Sequence, residues 1–173
     1  MRRVVLGVTG SIAAYKACEL VRMFVRAGDE VTVVMTEAAA RFVTPLTFRT
    51  LSRNQVYVDQ FADVDDWKPE HISLAEADVV VVAPATANII AKMRYGLADD
   101  LLSGVLLATR AKIVVAPAMN SGMWDNPATR DNIRALKERG VTVVEPEPGE
   151  LACGVEGNGR LAGLEQIFAG AQS

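Results

Sequence analysis

Apolar positions along this chain fall into two alternating rhythms. Val4–Val8, Val31–Met35, Val79–Ala83, Ile113–Ala116 and Val141–Val144 are short, nearly continuous apolar runs, the pattern of strands buried on both faces. Between them, apolar residues recur at helical spacing. Ile12, Tyr15, Leu20, Phe24 and Ala27 can share one broad stripe, and Gly28 suits the position just past a helix end. Thr36-Glu37 opens another helical turn. Thr44-Pro45 pairs an N-cap with a first-turn proline and predicts a helix through Leu51. A short strand fits Val56–Val58 and a short helix Ile72–Ala77. The helical period resumes through Leu101, Val105 and Leu106. Asn126-Pro127 starts a last helix that ends at Lys137, Arg139 and Gly140.

Strands alternating with helices over the whole length predict an α/β fold: a single-domain, doubly wound parallel sheet, Rossmann-like or flavodoxin-like, spanning residues 1–173. In such folds ligands bind beyond the carboxyl ends of the strands. Those ends carry Thr9-Gly10-Ser11-Ile12, Met35-Thr36, Pro84–Asn88 and Pro117–Asn120. Beyond Val144 the pattern changes. Glu145-Pro146-Glu147-Pro148-Gly149 does not suit a strand ladder, and Cys153–Arg160 contains Gly154, Gly157 and Gly159. A flexible flap over residues 145–163 is the expectation.

The strand ends also hold the candidate chemistry. Gly10-Ser11-Ile12 lies between a buried strand and a helix, where free backbone N–H groups and the helix dipole favour an anion such as a cofactor phosphate; a plain tight turn is the alternative. It is not a dinucleotide fingerprint, because a third glycine is missing and the second strand ends in Met35-Thr36 without an acid for a ribose. Thr86 suits a helix cap or a ligand contact, with Asn88 close by. Asn120 can donate to a carboxylate through its amide, and Met119 and Met123 would offer a polarizable wall to a flat ring, although Met123 and Trp124 also suit plain core packing. His71 is the only histidine, the side chain that titrates nearest neutrality; it is either an acid–base group or an ordinary surface residue. Cys153, in a glycine-rich loop, is a proton donor candidate or a small hydrophobe, whereas Cys18 lies within the first helix.

Composition narrows the classes. A formal charge of −3 with scattered Lys and Arg argues against nucleic-acid binding. Apolar runs are broken well before the ~18 residues of a membrane span, and Gly7, Thr9 and Gly10 interrupt the first run too early for a secretory signal. Two distant cysteines form no disulfide framework, so a reducing cytoplasm is expected. His/Cys spacing suits no metal site, and no Gly-x-Ser-x-Gly elbow marks a hydrolase.

Three ordered motifs then point to one family. Pro84-Ala85-Thr86-Ala87-Asn88-Ile89 is similar to the Pro-Ala-Ser-Ala-Asn-Thr flavin motif of the homo-oligomeric flavin-containing cysteine decarboxylases. Pro117-Ala118-Met119-Asn120-Ser121-Gly122-Met123-Trp124 resembles that family's Pro-x-Met-Asn-x-x-Met-Trp substrate motif in full. Ala152-Cys153-Gly154 with Gly157-Asn158-Gly159 resembles its substrate clamp. Two departures stand out: Ile89 lacks the motif's last hydroxyl, and Val155 replaces a common acid beside Glu156.

The resemblance covers nearly the whole chain. It implies FMN, held by Gly10, Ser11, Ile12, Thr36, Thr86, Ala87, Asn88, Ile89 and Ala118, and a small substrate met by Met119, Asn120, Met123, Ala152, Cys153 and Gly154. The implied substrate is 4′-phosphopantothenoylcysteine of coenzyme A biosynthesis. Its thiol is oxidised to a thioaldehyde, whose C=S accepts the electrons left by departing CO₂, and the enethiol is then reduced. His71, Asn120 and Cys153 are the implied catalytic residues. A homotrimer or trimer-based dodecamer is implied, together with a phosphopantothenoylcysteine synthetase, fused or separate; ending at Ser173, the chain is expected to be a stand-alone enzyme or an N-terminal domain. Alternatives are a decarboxylase of peptidyl cysteine, another flavoprotein of the family, and a flavin-binding regulatory module without turnover.

Overall fold

The structure, a computed structural model, describes residues 1–61, 70–150, 154 and 156–173. In chain order the elements are β1 (Arg3–Val8), α1 (Ala14–Arg26), β2 (Glu30–Met35), α2 (Glu37–Ala40), α3 (Pro45–Ser52), β3 (Val56–Tyr57), α4 (Glu70–Ala75), β4 (Val79–Ala85), α5 (Ala87–Tyr95), α6 (Leu101–Ala108), β5 (Lys112–Pro117), α7 (Ser121–Asp125), α8 (Pro127–Glu138), β6 (Thr142–Val143), β7 (Glu147–Glu150), β8 (Glu156–Arg160) and α9 (Leu164–Gln172).

Six strands pair in parallel in the order β3-β2-β1-β4-β5-β6. This is the doubly wound order, and it bears out the expected α/β architecture. The chain leaves β1 in one direction and returns to β4 on its other side. The switch point therefore lies between the carboxyl ends of β1 and β4, where Thr9–Ile12 faces Thr86–Ile89.

Period-two side-chain alternation sorts the strand residues onto two faces. Val4, Leu6, Val8, Val33, Val81 and Val114 pack with Leu20 and Phe24 of α1, Phe48 of α3 and Ile167 of α9. Val5, Val34, Val80, Val82 and Val115 pack with Ile89 and Ile90 of α5, Leu102 and Val105 of α6, and Ile133 and Leu136 of α8. Burying each of these large side chains stabilises the fold by about 1.5–3 kcal/mol before entropy. The valine runs are thus buried on both faces because helices cover both.

Some local expectations differ from the structure. Ile12 and Tyr15 do not join the buried stripe of α1; they are 57% and 60% exposed, and Ala14, Ala17, Leu20, Val21 and Phe24 form it instead. Ile12 precedes the helix, and Tyr15 lies about half a turn round from Phe24, on the side away from the buried stripe. Pro84 does not end its strand, since β4 continues through it to Ala85 with a register shift against β5 between Val82 and Ala85. Thr44 precedes a first-turn proline as expected, yet its side chain makes no cap bond. The Pro- and Gly-rich segment past Val144, expected not to suit a strand ladder, contains an antiparallel pair, β7 with β8. α9 has no counterpart among the expected elements; the ring of Phe168 there lies tilted, 5.0 Å from that of Phe24 of α1, and Ile167 and Ala171 are buried. Among the described residues no helix is long and apolar enough to cross a membrane.

Candidate functional site

Five polar residues cap helices at or beyond the carboxyl edge of the sheet. Thr36 accepts from Ala39 N–H at 3.2 Å and Thr86 from Ile89 N–H at 3.4 Å. Asp100 accepts from Ser103 N–H at 2.7 Å, Asn120 Oδ1 from Gly122 N–H at 2.8 Å, and Asn126 from Ala128 N–H at 2.9 Å. Capping uses acceptors, so the hydroxyl protons of Thr36 and Thr86 and the Asn120 amide N–H₂ remain available as donors. Asn120 is exposed, so that amide faces solvent or a ligand.

Two cavities open along this edge. One of about 530 Å³ is lined by the Gly10–Ala13 turn, Tyr15 and Lys16, by Thr86 and Ala87, by Ala118–Asn120 and Met123, and by Glu150 and Gly159–Leu161 of the hairpin segment. Its neighbour, about 730 Å³, is lined by Thr9, Gly10, Thr36, Thr86–Ile89 and Met123, with Lys92, Asp99 and Asp100 beyond. Gly10, Thr86, Ala87 and Met123 border both. Each volume lies in the range of small-molecule sites.

The β1–α1 turn is built for close approach. A Cβ on Gly10 would sit 2.5 Å from Ala38 Cβ and 3.2 Å from its carbonyl carbon, so only glycine lets α2 lie against the turn. Ser11 N–H is spent on Thr9 O at 2.8 Å, and Ser11 Oγ accepts from Ala13 N–H at 3.2 Å. Among the described residues, the Gly10 and Ile12 N–H groups have no hydrogen-bond partner within the chain, leaving two donors near the start of α1. Gly10→Ala is expected to destabilise the protein by about 1–3 kcal/mol through overpacking, a fall in Tm of about 2–10 °C by thermal melting.

Charge separates the cavities. Lys16 and Arg160 border the first with one acid, Glu150. Among the described residues, the second carries Glu37, Asp59, Asp99 and Asp100 against Lys92 alone. Burial works against the Lys92 charge, but hydrogen bonds from its ammonium to Asp99 (2.7 Å) and Asp100 (3.2 Å) outweigh it and hold the group above the usual lysine value. The same contact draws Asp99 below the usual carboxylate value. Lys92 is therefore a charged, committed side chain and no general base. An anion is better placed at the first cavity's turn than against the acidic wall.

The hairpin is fastened directly onto this site. Met119 N–H donates to Gly159 O at 2.9 Å, which binds β8 to the loop after β5. Glu147 accepts from Gly163 N–H at 3.1 Å and from Arg160 at 3.1 Å, tying the start of β7 to the end of β8. The Gly163 N–H first, and Arg160 second, hold the Glu147 carboxyl below its ordinary 4.5. A pKa depressed by folding contributes stability above the unfolded value, and that contribution is lost as pH falls through the lower folded value. Any Tm difference between the wild type and Glu147→Gln near neutral pH is therefore expected to shrink as pH falls below about 4.5, as melting across pH will show.

The structure gathers most of the residues singled out from sequence. Gly10, Ser11, Ile12, Thr86, Ala87, Ala118, Met119, Asn120 and Met123 border the first cavity, and Thr36, Asn88 and Ile89 the second. The Ile89 side chain is 1% exposed within the core, so a hydroxyl there would point into apolar packing. Trp124 is buried, with the Arg130 guanidinium 4.5 Å over its ring. His71 lies in the first turn of α4, not in a loop. It is exposed, packs near Gly104 of α6 and borders neither of these cavities. Gly154 is exposed and borders neither; Ala152, Cys153 and Val155 lie outside the described residues. Gly159, expected in the clamp, borders the first cavity, whereas no site role was expected for Thr9, Tyr15, Lys16 and Arg160. Tyr15 and Lys16 directly follow the turn, and Gly159 sits in the glycine cluster, so each left some trace in the sequence.

A doubly wound sheet, an anion-ready turn at its switch point and an apolar, methionine-lined wall beside it define a nucleotide-type cofactor protein. The chain belongs to the flavoprotein family, whose profile it matches over residues 1–172. It is 50% identical over 167 residues to the Coenzyme A biosynthesis bifunctional protein CoaBC of Bacillus subtilis (strain 168), covering 96% of this chain and 41% of that protein. The chain spans about two fifths of the length of the curated relatives it matches. Its structure is similar to that of a cysteine-to-serine mutant of PPC decarboxylase complexed with pantothenoylaminoethenethiol (TM-score 0.87, 33% identity, 99% of this chain and 96% of the other). The FMN binding protein AtHal3 is similar too (TM-score 0.85, 33% identity, 99% and 95% covered).

Proposed function

We infer that this chain catalyses the FMN-dependent decarboxylation of 4′-phosphopantothenoylcysteine to 4′-phosphopantetheine, a step of coenzyme A biosynthesis in the cytoplasm. One observation carries this most directly: the exposed Asn120 amide, the Met119–Met123 wall and the Gly10–Ile12 turn border a single cavity, with Gly159 of the hairpin seated on Met119. The similarity to PPC decarboxylase over almost the full length of both chains supports the same substrate.

The donor set fits FMN. The free Gly10 and Ile12 N–H groups and the nearby Lys16 suit its phosphate, the Thr36 and Thr86 hydroxyls its polar chain, and Ala118 with Met119 and Met123 a flat ring. When bound, FMN supplies reversible two-electron redox chemistry at the cysteinyl thiol. Asn120 donates through its amide to the carboxylate that departs as CO₂ and holds it at the open end of β5. His71 takes the proton released on thiol oxidation, and Cys153 returns a proton as the enethiol is reduced. Because His71 borders neither cavity of its own chain, it serves a neighbouring copy, which fits a homotrimer or trimer-based dodecamer. A phosphopantothenoylcysteine synthetase, fused or separate, supplies the substrate.

The test is direct: record the visible spectrum of the purified protein and add 4′-phosphopantothenoylcysteine. A flavin spectrum and CO₂ release are expected. A protein that takes up no FMN overturns the assignment; a flavoprotein that releases CO₂ only from a C-terminal peptidyl cysteine moves it to that substrate class. Cys153→Ser is expected to release CO₂ yet accumulate the oxidised enethiol, and equal loss of both steps rules out a separate proton donor.

A further inference from the structure

The strongest unassigned feature is a buried hydroxyl between the two strands at the switch point. The β1–β4 ladder runs in register from Val4 with Val79 to Gly7 with Val82 and then stops. The β4–β5 register shifts between Val82 and Ala85, and Pro84, in that stretch, has no N–H to offer the ladder. Thr9, 1% exposed, fills the break. Its hydroxyl donates to Pro84 O at 2.6 Å and accepts from Thr86 N–H at 3.0 Å, while its own N–H also meets Pro84 O at 3.4 Å.

That hydroxyl is used as donor and acceptor at once. Its acceptor side fixes the backbone of Thr86, the residue that caps α5 and, with Ala87, borders both cavities. With its N–H held by Thr9 and its Oγ1 accepting from Ile89 N–H, Thr86 has its hydroxyl oxygen fixed beside the cavities, and the hydroxyl proton is left for a ligand. Flanking bonds continue the alignment: Thr36 N–H donates to Val8 O at 3.0 Å and Ala118 N–H to Ala85 O at 3.1 Å. The carboxyl ends of β2, β1, β4 and β5 are thereby linked side to side, and the two shorter bonds between β1 and β4 are made by a side chain.

We propose that Thr9 is a positioning residue for the flavin cradle, acting through Thr86; this rests on the FMN assignment above. Valine keeps the shape of threonine but removes both hydroxyl bonds, leaving the Thr86 N–H and a buried carbonyl without that partner. Serine keeps the hydroxyl.

The experiment measures FMN dissociation constants of the flavin-stripped protein by flavin fluorescence quenching, alongside melting temperatures without flavin. Thr9→Val is expected to weaken FMN at least 10-fold, and Thr9→Ser to stay within threefold of wild type. Thr9→Val with lowered melting temperature but unchanged FMN affinity overturns the proposal, as does Thr9→Ser binding as weakly as Thr9→Val. Amide hydrogen exchange on the unaltered protein decides the matter if Thr9→Val does not fold: the Thr86 N–H should be strongly protected without flavin, and free exchange there overturns the bridge. Failure of the wild type to bind FMN would refute the cofactor assignment instead, with Thr86 protection still reporting on the bridge.

Discussion

Gly159→Ala is expected to lower kcat/KM for CO₂ release by about 100-fold or more while the visible flavin spectrum is retained. Gly159 is buried in β8 with φ +133°, a region that suits glycine. A Cβ there would overlap the Met119 carbonyl oxygen and lie 3.2 Å from its carbonyl carbon and 3.5 Å from that of Asn120. The obstruction is backbone, so no rotamer change relieves it. The strand must lift, breaking the 2.9 Å bond from Met119 N–H and removing the hairpin wall from the cavity. A misplacement of about 1 Å in a reacting geometry commonly costs about 100-fold. The residues suited to FMN phosphate lie on the β1–α1 turn, and Thr36 and Thr86 at other strand ends, so flavin binding should persist. Steady-state CO₂ release with parallel visible spectra checks both halves. Undiminished turnover would mean that the hairpin does not close the site.

The sheet was legible because its signal is local: valine runs buried on both faces need no knowledge of partners, and the intervening helical periods imply crossovers. The strand-end candidates followed from a general rule of doubly wound sheets, and Gly10, Thr86 and Asn120 do converge on one cavity. The misses share a different cause. Ile12 precedes the helix, which begins at Ala14, and Tyr15 lies on the face opposite Phe24, so both turn outward to the cavity. The hairpin strands are rich in Pro, Gly and Glu, and what holds them is the contact with Met119 and the Glu147 clasp, both distant in sequence. Thr9 was invisible as a tether because its partners, Pro84 and Thr86, lie 75 and 77 residues away.

Asn120→Asp separates folding from chemistry at the residue around which the substrate wall is built. Aspartate keeps an oxygen where Asn120 Oδ1 accepts from Gly122 N–H at 2.8 Å, and a carboxylate is a good N-cap, so α7 and the Met123–Trp124 packing should survive with stability within about 1 kcal/mol of wild type. What disappears is the amide N–H₂, the only donor this side chain could offer a carboxylate, and a negative charge takes its place. Losing a hydrogen bond to a charged group costs about 1.5–3 kcal/mol, and like-charge opposition adds to it. A total of about 3–4 kcal/mol corresponds to a fall of two to three orders of magnitude in kcat/KM, with flavin content and Tm nearly unchanged. The same variant tests whether His71 works on another copy's cavity. Mixed oligomers of Asn120→Asp and His71→Asn chains should recover CO₂ release that neither variant shows alone, since some cavities would then combine an intact Asn120 with an intact His71. Full activity of Asn120→Asp would remove Asn120 from carboxylate recognition, and no recovery on mixing would return His71 to its own chain.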